Sequence, residues 1–216
     1  MTFKRVYNAL FKYYGPQRWW PADTPFEVMV GAILTQNTAW TNVERAIGNL
    51  KVNHCLSPES ILASRPKQLA QWLQPSGYFN IKAKRLRNFC QWYVENGQHK
   101  QLRHWDTHAL RAGLLSINGV GPETADDMML YAFGRPVFVI DTYTRRLFSR
   151  LALVEGNEGY EHLRQLCEAK LPRDAQLLNE YHALIVQHAK EFCRKRPVCS
   201  QCFLRMRCLY AHNPAM

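Results

Sequence analysis

A short glycine hairpin, Gly119-Val120-Gly121, constrains more than any other feature how this chain can fold. Apolar residues at helical spacing precede the hairpin, and Pro122 follows it, where the first turn of a helix tolerates a missing N–H. Gly134 then ends the second helical pattern, as glycine commonly does. The sequence therefore predicts two helices joined by a tight hairpin, with backbone N–H groups presented outward as a phosphate would require.

An apolar run after the second helix leads to a single carboxylate. The run is Val137-Phe138-Val139-Ile140, and Asp141 stands directly before the next helical pattern, residues 142–151. An aspartate in this place can cap the helix by accepting hydrogen bonds from its first N–H groups. We expect Asp141 to begin a helix.

The charge of the chain favours a polyanionic partner. Its 216 residues include 28 Lys and Arg against 17 Asp and Glu, which gives a net charge of +11. This balance fits nucleic acid or an anionic membrane surface. Because the sequence shows neither a membrane-spanning apolar stretch nor the apolar core of a signal peptide, we expect no membrane partner. We expect a cytoplasmic protein, associated with a bacterial or archaeal nucleoid.

Four of the seven cysteines are close together in the C-terminal tail. They form the pattern Cys193-x5-Cys199-x2-Cys202-x5-Cys208, and the other three are scattered. Four thiolates this close in sequence can enclose a metal centre, and by spacing alone zinc and an iron–sulfur cluster fit equally well. An odd, clustered set of cysteines is more typical of a metal site in a reducing compartment than of a disulfide framework.

Helical signals extend over almost the whole chain. Residues 3–14 carry apolar residues at helical spacing, and residues 158–170 and 174–192 predict two late helices. Thr24-Pro25-Phe26-Glu27 has the form of a capping box, and we expect the helix that it starts to continue to Trp40. Signals for strand hairpins and internal repeats are absent from the sequence. We therefore predict an all-α fold.

The order and spacing of these features strongly resemble the helix–hairpin–helix DNA glycosylases of the endonuclease III superfamily. The resemblance rests on the hairpin, on the stretch from Gly134 through Pro136 to Asp141, and on the cysteine tail. It covers essentially the whole chain and implies two helical domains with a DNA-binding cleft between them. We expect a helix–hairpin–helix domain over residues 23–135, and a domain with a C-terminal cluster loop over residues 1–22 plus 136–216.

The resemblance also implies which residues contact DNA. In this family the hairpin grips the phosphate backbone, and basic side chains extend that track; the corresponding residues here are Gly119, Val120, Gly121, Lys82 and Lys84. Wedge side chains fill the gap left by an extruded nucleotide; the candidates here are Gln36, Asn37 and Tyr78. Aromatic rings line the pocket for the extruded base; the candidates here are Trp19, Trp20, Phe26 and Trp40.

The family's catalytic group and its metal centre also have counterparts in this chain. Asp141 matches the catalytic aspartate, and an ionised carboxylate in a partly desolvated pocket stabilises positive charge on a sugar. The cysteine tail has nearly the family's 4Fe–4S pattern, with one residue fewer in the first gap. The resemblance therefore favours a structural 4Fe–4S cluster over zinc, with four expected ligands: Cys193, Cys199, Cys202 and Cys208.

One position departs from the bifunctional members of the family. They carry a lysine just after the hairpin, and its amine forms a Schiff base with the sugar and leads to strand cleavage. Here Glu123 occupies that position, and a carboxylate cannot form an imine. We therefore expect a monofunctional enzyme that leaves an abasic strand intact.

The lesion is predicted from a closer resemblance to the 3-methyladenine DNA glycosylase branch. Trp19-Trp20-Pro21 and residues 26–38 and 75–86 carry it, although described helical members of that branch can lack the cysteine tail. N-alkylated purines such as 3-methyladenine and 7-methylguanine are cationic, so they leave without a general acid and stack well on aromatic rings. We expect a monomer that releases such bases from damaged double-stranded DNA.

Two alternatives remain open from the sequence. The first is a glycosylase for another lesion, such as an oxidised pyrimidine or a mismatched or deaminated base. The second is a DNA-binding module without enzymatic activity, in which Asp141 serves only as a helix cap.

Overall fold

The computed structural model describes residues 1–17 and 19–213, and all regular secondary structure in those residues is helical. This confirms the predicted all-α fold. No helix within the described ranges combines the length and apolar character that crossing a bilayer requires. In chain order the α-helices of these residues, α1 to α13, are Phe3–Tyr14, Pro25–Leu34, Trp40–Val52, Pro58–Ala63, Pro66–Trp72, Phe79–Glu95, Gln98–Leu102, Thr107–Leu115, Pro122–Asp127, Thr142–Arg150, Tyr160–Lys170, Ala175–Glu191 and Leu209–His212.

The chain divides into two compact units. We call Met1–Trp19 with Pro136–Met216 the terminal unit and Trp20–Arg135 the central unit. The sequence prediction placed residues 20–22 with the termini, whereas the structure groups them with the central unit. One reason is that the ring of Trp20 packs edge-to-face on Trp40, with 4.9 Å between centroids.

Helix α2 forms the core of the central unit, with nine of its ten residues buried. It begins as predicted, because Pro25 takes its first position and the hydroxyl of Thr24 accepts a bond from the Glu27 N–H (3.1 Å). The second half of the predicted capping box differs. The Glu27 carboxylate accepts from the Asp23 N–H (3.2 Å) and pairs with Lys51 (2.8 Å), so it bonds one residue earlier than expected.

Helix α2 ends at Leu34, so the prediction of a continuous helix to Trp40 is wrong. The hydroxyl of Thr35 donates to the Gly31 carbonyl (2.7 Å), and Asn37 adopts a left-handed conformation with φ of 53°. A left-handed residue cannot continue a right-handed helix. The chain therefore turns over residues 35–39 and starts α3 at Trp40.

A buried ammonium joins two turns of the central unit. Lys82 of α6 is 1 % exposed, and its Nζ donates to Leu34 O (2.7 Å), Thr38 Oγ1 (2.6 Å) and Ser76 O (2.7 Å). Burial, with a smaller effect of the Arg85 charge, lowers the pKa of Lys82 to about 8. The group is thus mostly protonated at neutral pH, and three acceptors match the three donors of an ammonium.

Helix α12 organises the terminal unit, where α1 and α10 pack against it. Tyr181 of α12 is fully buried between Phe138 (5.6 Å between centroids) and Phe148 (6.0 Å), and its hydroxyl donates to the Phe3 carbonyl (2.8 Å). Val137–Ile140 are all buried. This segment delivers the chain to α10, so the position of Asp141 is fixed by the core beside it.

We predict that Lys82→Met lowers the free energy of unfolding by about 2–4 kcal/mol, because buried oxygens lose their donor and cannot reach water. Denaturant unfolding followed by circular dichroism measures the change. Lys84→Met is the matched control, since Lys84 lies on the same helix with its side chain exposed, and it should change stability by less than about 0.5 kcal/mol. Equal effects of the two substitutions would contradict the buried role of Lys82.

Candidate active site

The carboxylate of Asp141 is buried at the start of helix α10. Asp141 is 9 % exposed and caps the helix as predicted, with Oδ1 accepting a hydrogen bond from the Thr144 N–H (2.6 Å). Its second oxygen, Oδ2, lies 3.5 Å from Nε2 of His182 on α12. Each oxygen thus has a separate polar neighbour.

These neighbours decide the charge of Asp141. Burial alone raises the pKa of a carboxyl group, but here the nearby imidazole of His182 and the N–H of Thr144 outweigh burial and lower the pKa of Asp141 below its ordinary value. The carboxylate is therefore ionised at neutral pH despite its burial. Such a group is suited to stabilising positive charge beside it.

His182 was missed in the sequence analysis. It lies on the apolar face of α12, four residues after Leu178 and three before Ile185, and all three are buried. A histidine on an apolar helix face is the one signal that the sequence offered. Its neighbour Asp141 is distant in sequence, so only the folded chain reveals the pair.

Trp19 belongs to the same unit as Asp141. Its ring is parallel to that of His182, with 3° between planes and 6.1 Å between centroids, and the Lys190 ammonium lies 5.7 Å from the Trp19 ring centroid. The structure thus brings Trp19 into the surroundings of the His182–Asp141 pair within the terminal unit.

Trp20 and Trp40 meet within the central unit, together with one ring that the sequence analysis missed. Tyr131 lies 4.9 Å from Trp20 between centroids, the same distance that separates Trp20 from Trp40. We call Trp20, Trp40 and Tyr131 the aromatic group. Gly31 makes the close packing possible, because a Cβ on this residue would lie 3.3 Å from Trp20 and 3.5 Å from Trp40.

Phe26 has a different role from the one predicted. It is buried, and its ring packs on Phe89 (6.3 Å between centroids) and Tyr93 (5.6 Å) of helix α6. Phe26 is therefore a core residue of the central unit rather than a pocket aromatic. The sequence could not separate the two roles, because an aromatic residue in the first turn of a helix can either pack in the core or line a pocket.

Two of the three wedge candidates have exposed side chains and unusual backbone. Asn37 (φ 53°) and Tyr78 (φ 46°) both adopt the left-handed conformation, and Tyr78 is 69 % exposed. Non-glycine residues rarely adopt this conformation, and they cluster at functional sites. Lys82 bonds the turn that holds each one, through Thr38 for the first and Ser76 for the second.

Gln36, the third wedge candidate, instead braces the hairpin. Its amide nitrogen donates to Gly119 O (3.0 Å) and Thr124 Oγ1 (2.9 Å), and its amide oxygen accepts from the Arg85 guanidinium. A side chain held by three hydrogen bonds is not available to fill a gap in DNA. The prediction of Gln36 as a wedge is therefore wrong. The sequence could not reveal this, because the partners of Gln36 lie far from it along the chain.

The glycine hairpin forms between α8 and α9 as predicted. Val120 is buried and its N–H donates to Ile117 O (3.0 Å), while Gly121 is exposed. Gly119 has φ of 102°, and a Cβ there would lie 2.3 Å from the side chain of Arg85. Only glycine fits that position. The buried side chain of Val120 anchors the hairpin, and the two glycines form its backbone surface.

The two basic residues assigned to the phosphate track differ. Lys84 is exposed and remains a candidate. The prediction for Lys82 is wrong, because its ammonium is buried and bonded within the protein. The sequence carried a signal for this, since Lys82 shares a helix face with the buried Leu86 and Phe89. Glu123, at the lysine position of bifunctional relatives, is exposed in the first turn of α9.

The four tail cysteines line one cavity of the terminal unit, together with residues of α10 and α12. Arg150 donates to Cys193 Sγ (3.2 Å), and Cys208 Sγ donates to the Arg150 carbonyl (3.3 Å). Within the described ranges, no three His, Cys, Asp or Glu side chains are gathered closely enough to hold a single metal ion. The four cysteines around this cavity are a donor set of the kind that a 4Fe–4S cluster would use.

Comparison with known proteins identifies the family. Residues 30–173 match the model of the HhH-GPD superfamily of base excision DNA repair proteins. A candidate DNA repair glycosylase of Methanocaldococcus jannaschii is 49 % identical over 208 residues, which cover 95 % of this chain and 94 % of that protein.

Two solved structures share the fold. The Helicobacter pylori 3-methyladenine DNA glycosylase MagIII, bound to 1,N6-ethenoadenine, matches with a TM-score of 0.77 and 28 % identity over 88 % of this chain and 98 % of that chain. An endonuclease III in a non-covalent complex with DNA matches with a TM-score of 0.84 over 100 % and 99 %, at 18 % identity, which shows the fold alone. This chain belongs to the HhH-GPD superfamily of base excision DNA repair proteins and has the fold of its DNA glycosylases.

Proposed function

We propose that this protein is a monofunctional DNA glycosylase that releases N-alkylated purines, with Asp141 as its catalytic residue. The observation that carries the proposal is the buried carboxylate of Asp141, whose Oδ1 caps helix α10 and whose Oδ2 lies 3.5 Å from Nε2 of His182. Breaking a glycosidic bond places positive charge on the sugar, and a desolvated carboxylate opposes that charge more strongly than one in water.

The reaction requires little else from the protein when the base is already cationic. As the C1′–N bond breaks, its electron pair moves to the base, which leaves neutral, and the sugar becomes an oxocarbenium ion. Asp141 stabilises that ion. Water then adds to C1′, and its proton passes to the Asp141 carboxylate and from there to solvent, which leaves an abasic site.

The central unit supplies features for holding DNA. The backbone of the Gly119-Val120-Gly121 hairpin precedes helix α9, a suitable place for a phosphate. Asn37 and Tyr78 present exposed side chains from turns that Lys82 fixes, so they are the proposed wedges. The net charge of +11 favours binding to DNA as a whole.

Aromatic rings support a cationic purine as the leaving base. The aromatic group offers electron-rich surface in the central unit, and Trp19 offers it beside the pair of Asp141 and His182 in the terminal unit. The resemblance to MagIII at 28 % identity favours the same substrate class.

We predict that the protein releases 3-methyladenine and 7-methylguanine from methylated duplex DNA. It should act at least tenfold more slowly on matched duplexes with thymine glycol, uracil or a G·T mismatch, because those bases are not cationic. Chromatography of the released bases under single-turnover conditions measures both. Preference for an oxidised, deaminated or mismatched base would replace the alkylpurine assignment, and binding without release would favour the non-enzymatic module.

Asp141→Asn is the matched control for that assay. The amide keeps the shape and can still accept the Thr144 N–H bond, but it carries no charge. Excision should fall more than tenfold, equivalent to about 1.4 kcal/mol of barrier, while DNA binding is retained. A smaller loss would show that Asp141 is not the catalytic residue.

We predict that the wild-type protein leaves the abasic strand uncut and forms no adduct with DNA on borohydride reduction. The reason is that Glu123 stands where bifunctional relatives carry their lysine, and a carboxylate forms no imine. Glu123→Lys restores an amine and should give a weak trapped adduct, visible on a denaturing gel. A wild-type adduct that disappears on Lys190→Ala would identify another nucleophile and overturn the monofunctional assignment.

We further propose that the four tail cysteines bind a 4Fe–4S cluster. When bound, the cluster would tie the tail to α10 and α12, and Arg150 beside Cys193 would offset the negative charge of the thiolates. Nothing in base excision requires electron transfer, so its proposed role is structural.

We predict that the protein purified without air is brown, with about four irons per chain. Cys202→Ala should lose the colour and the iron and unfold at a lower temperature. Cys167→Ala, which alters a buried cysteine outside the tail, should keep the colour and the iron. Stoichiometric zinc in a colourless wild-type protein would reject the cluster.

A further inference from the structure

The imidazole of His182 faces the oxygen of Asp141 that the helix cap does not use. His182 is 5 % exposed, and its Nε2 lies 3.5 Å from Oδ2, while Thr144 bonds Oδ1. Because one oxygen is held by the aspartate's own helix and the other faces α12, rotation of the carboxylate is restricted from two directions. The packing of α10 on α12 sets this arrangement.

The orientation of the His182 ring is set by packing. The ring is parallel to that of Trp19 within 3°, and it sits on the buried face of α12 next to Leu178 and Ile185. A ring that is fixed in this way has lost its rotational freedom in the folded state. It can therefore direct an N–H to one acceptor with little further entropic cost.

We propose that His182 is a positioning residue that donates a hydrogen bond from Nε2 to Asp141, and so keeps this carboxylate ionised and correctly oriented for catalysis. The inference rests on the proposed catalytic function of Asp141. The Nε2–Oδ2 distance of 3.5 Å and the burial of both side chains place the donor directly beside its acceptor.

The surrounding charges make His182 the decisive neighbour. Burial raises the pKa of Asp141, and His182 contributes the largest of the opposing effects, ahead of Thr144. Lys190, on the same helix as His182, lies over the Trp19 ring. Helix α13 also packs on α10, but its His212 is exposed. Without His182, burial would favour the neutral acid, which cannot oppose positive charge.

The test measures single-turnover excision of alkylated bases between pH 4.5 and 8. In the wild type, excision should change less than twofold between pH 7 and pH 5, because Asp141 stays ionised. In His182→Phe, the acid limb of the pH profile, where excision falls because Asp141 becomes protonated, should move up into this range. Excision at pH 5 should then be at least fivefold lower than at pH 7. His182→Gln retains an N–H donor without an imidazole and should restore most of the wild-type profile.

A second variant separates this role from a loss of packing. Tyr181→Phe removes a buried hydrogen bond from the adjacent residue, so it should lower thermal stability without moving the acid limb. Thermal unfolding and binding to an abasic duplex show whether each variant is folded. If His182→Phe is unfolded, His182→Ala takes its place in the comparison with the wild type and with His182→Gln. We expect His182→Ala to show the shift in pH dependence that is predicted for His182→Phe.

The outcomes are distinguishable. An unshifted acid limb in folded His182→Phe or His182→Ala overturns the inference, as does a limb in His182→Gln that matches the Phe variant, because donation would then not be the cause. If Asp141→Asn excises as fast as the wild type, the proposed catalytic function itself fails. A slow Asp141→Asn together with unshifted His182 variants rejects only the role of His182.

Discussion

The buried ammonium of Lys82 is the contact on which the exposed turns of the central unit depend. It satisfies three oxygens from two segments that are far apart in sequence. Both segments carry a non-glycine residue in the left-handed conformation, Asn37 and Tyr78. Such residues persist only when the surrounding structure holds them, since each costs about 1–3 kcal/mol. One interior charge therefore supports two exposed side chains that we propose as DNA wedges.

A second buried charge, of opposite sign, has the corresponding place in the terminal unit. Asp141 accepts a hydrogen bond from a backbone N–H of its own helix, and its other oxygen faces His182 of α12. In both units a charge that burial disfavours is retained because polar partners surround it. The difference lies in the use of the charge. Lys82 has all its donors bonded within the protein, whereas Asp141 is the group that we propose to act on the sugar.

The sequence predicted local features well and long-range contacts poorly. The hairpin and the helix cap at Asp141 followed from neighbours within a few residues, and the structure has both. Gln36 and Phe26 were assigned to the wrong roles, because their polar and aromatic character suits both an interior and an exposed site. Residue type and spacing do not show which partner a side chain meets.

The sequence by itself determined the family, the all-helical fold and the position of one carboxylate. These depend on helix starts and ends, on glycines that need positive φ, and on apolar periodicity, all of which are encoded within short segments. Only the tertiary structure decided that His182 faces Asp141, that Tyr131 joins Trp20, and that Lys82 is interior. The physical reason is that these contacts join residues from separate segments, which packing brings together, and no local rule encodes that packing.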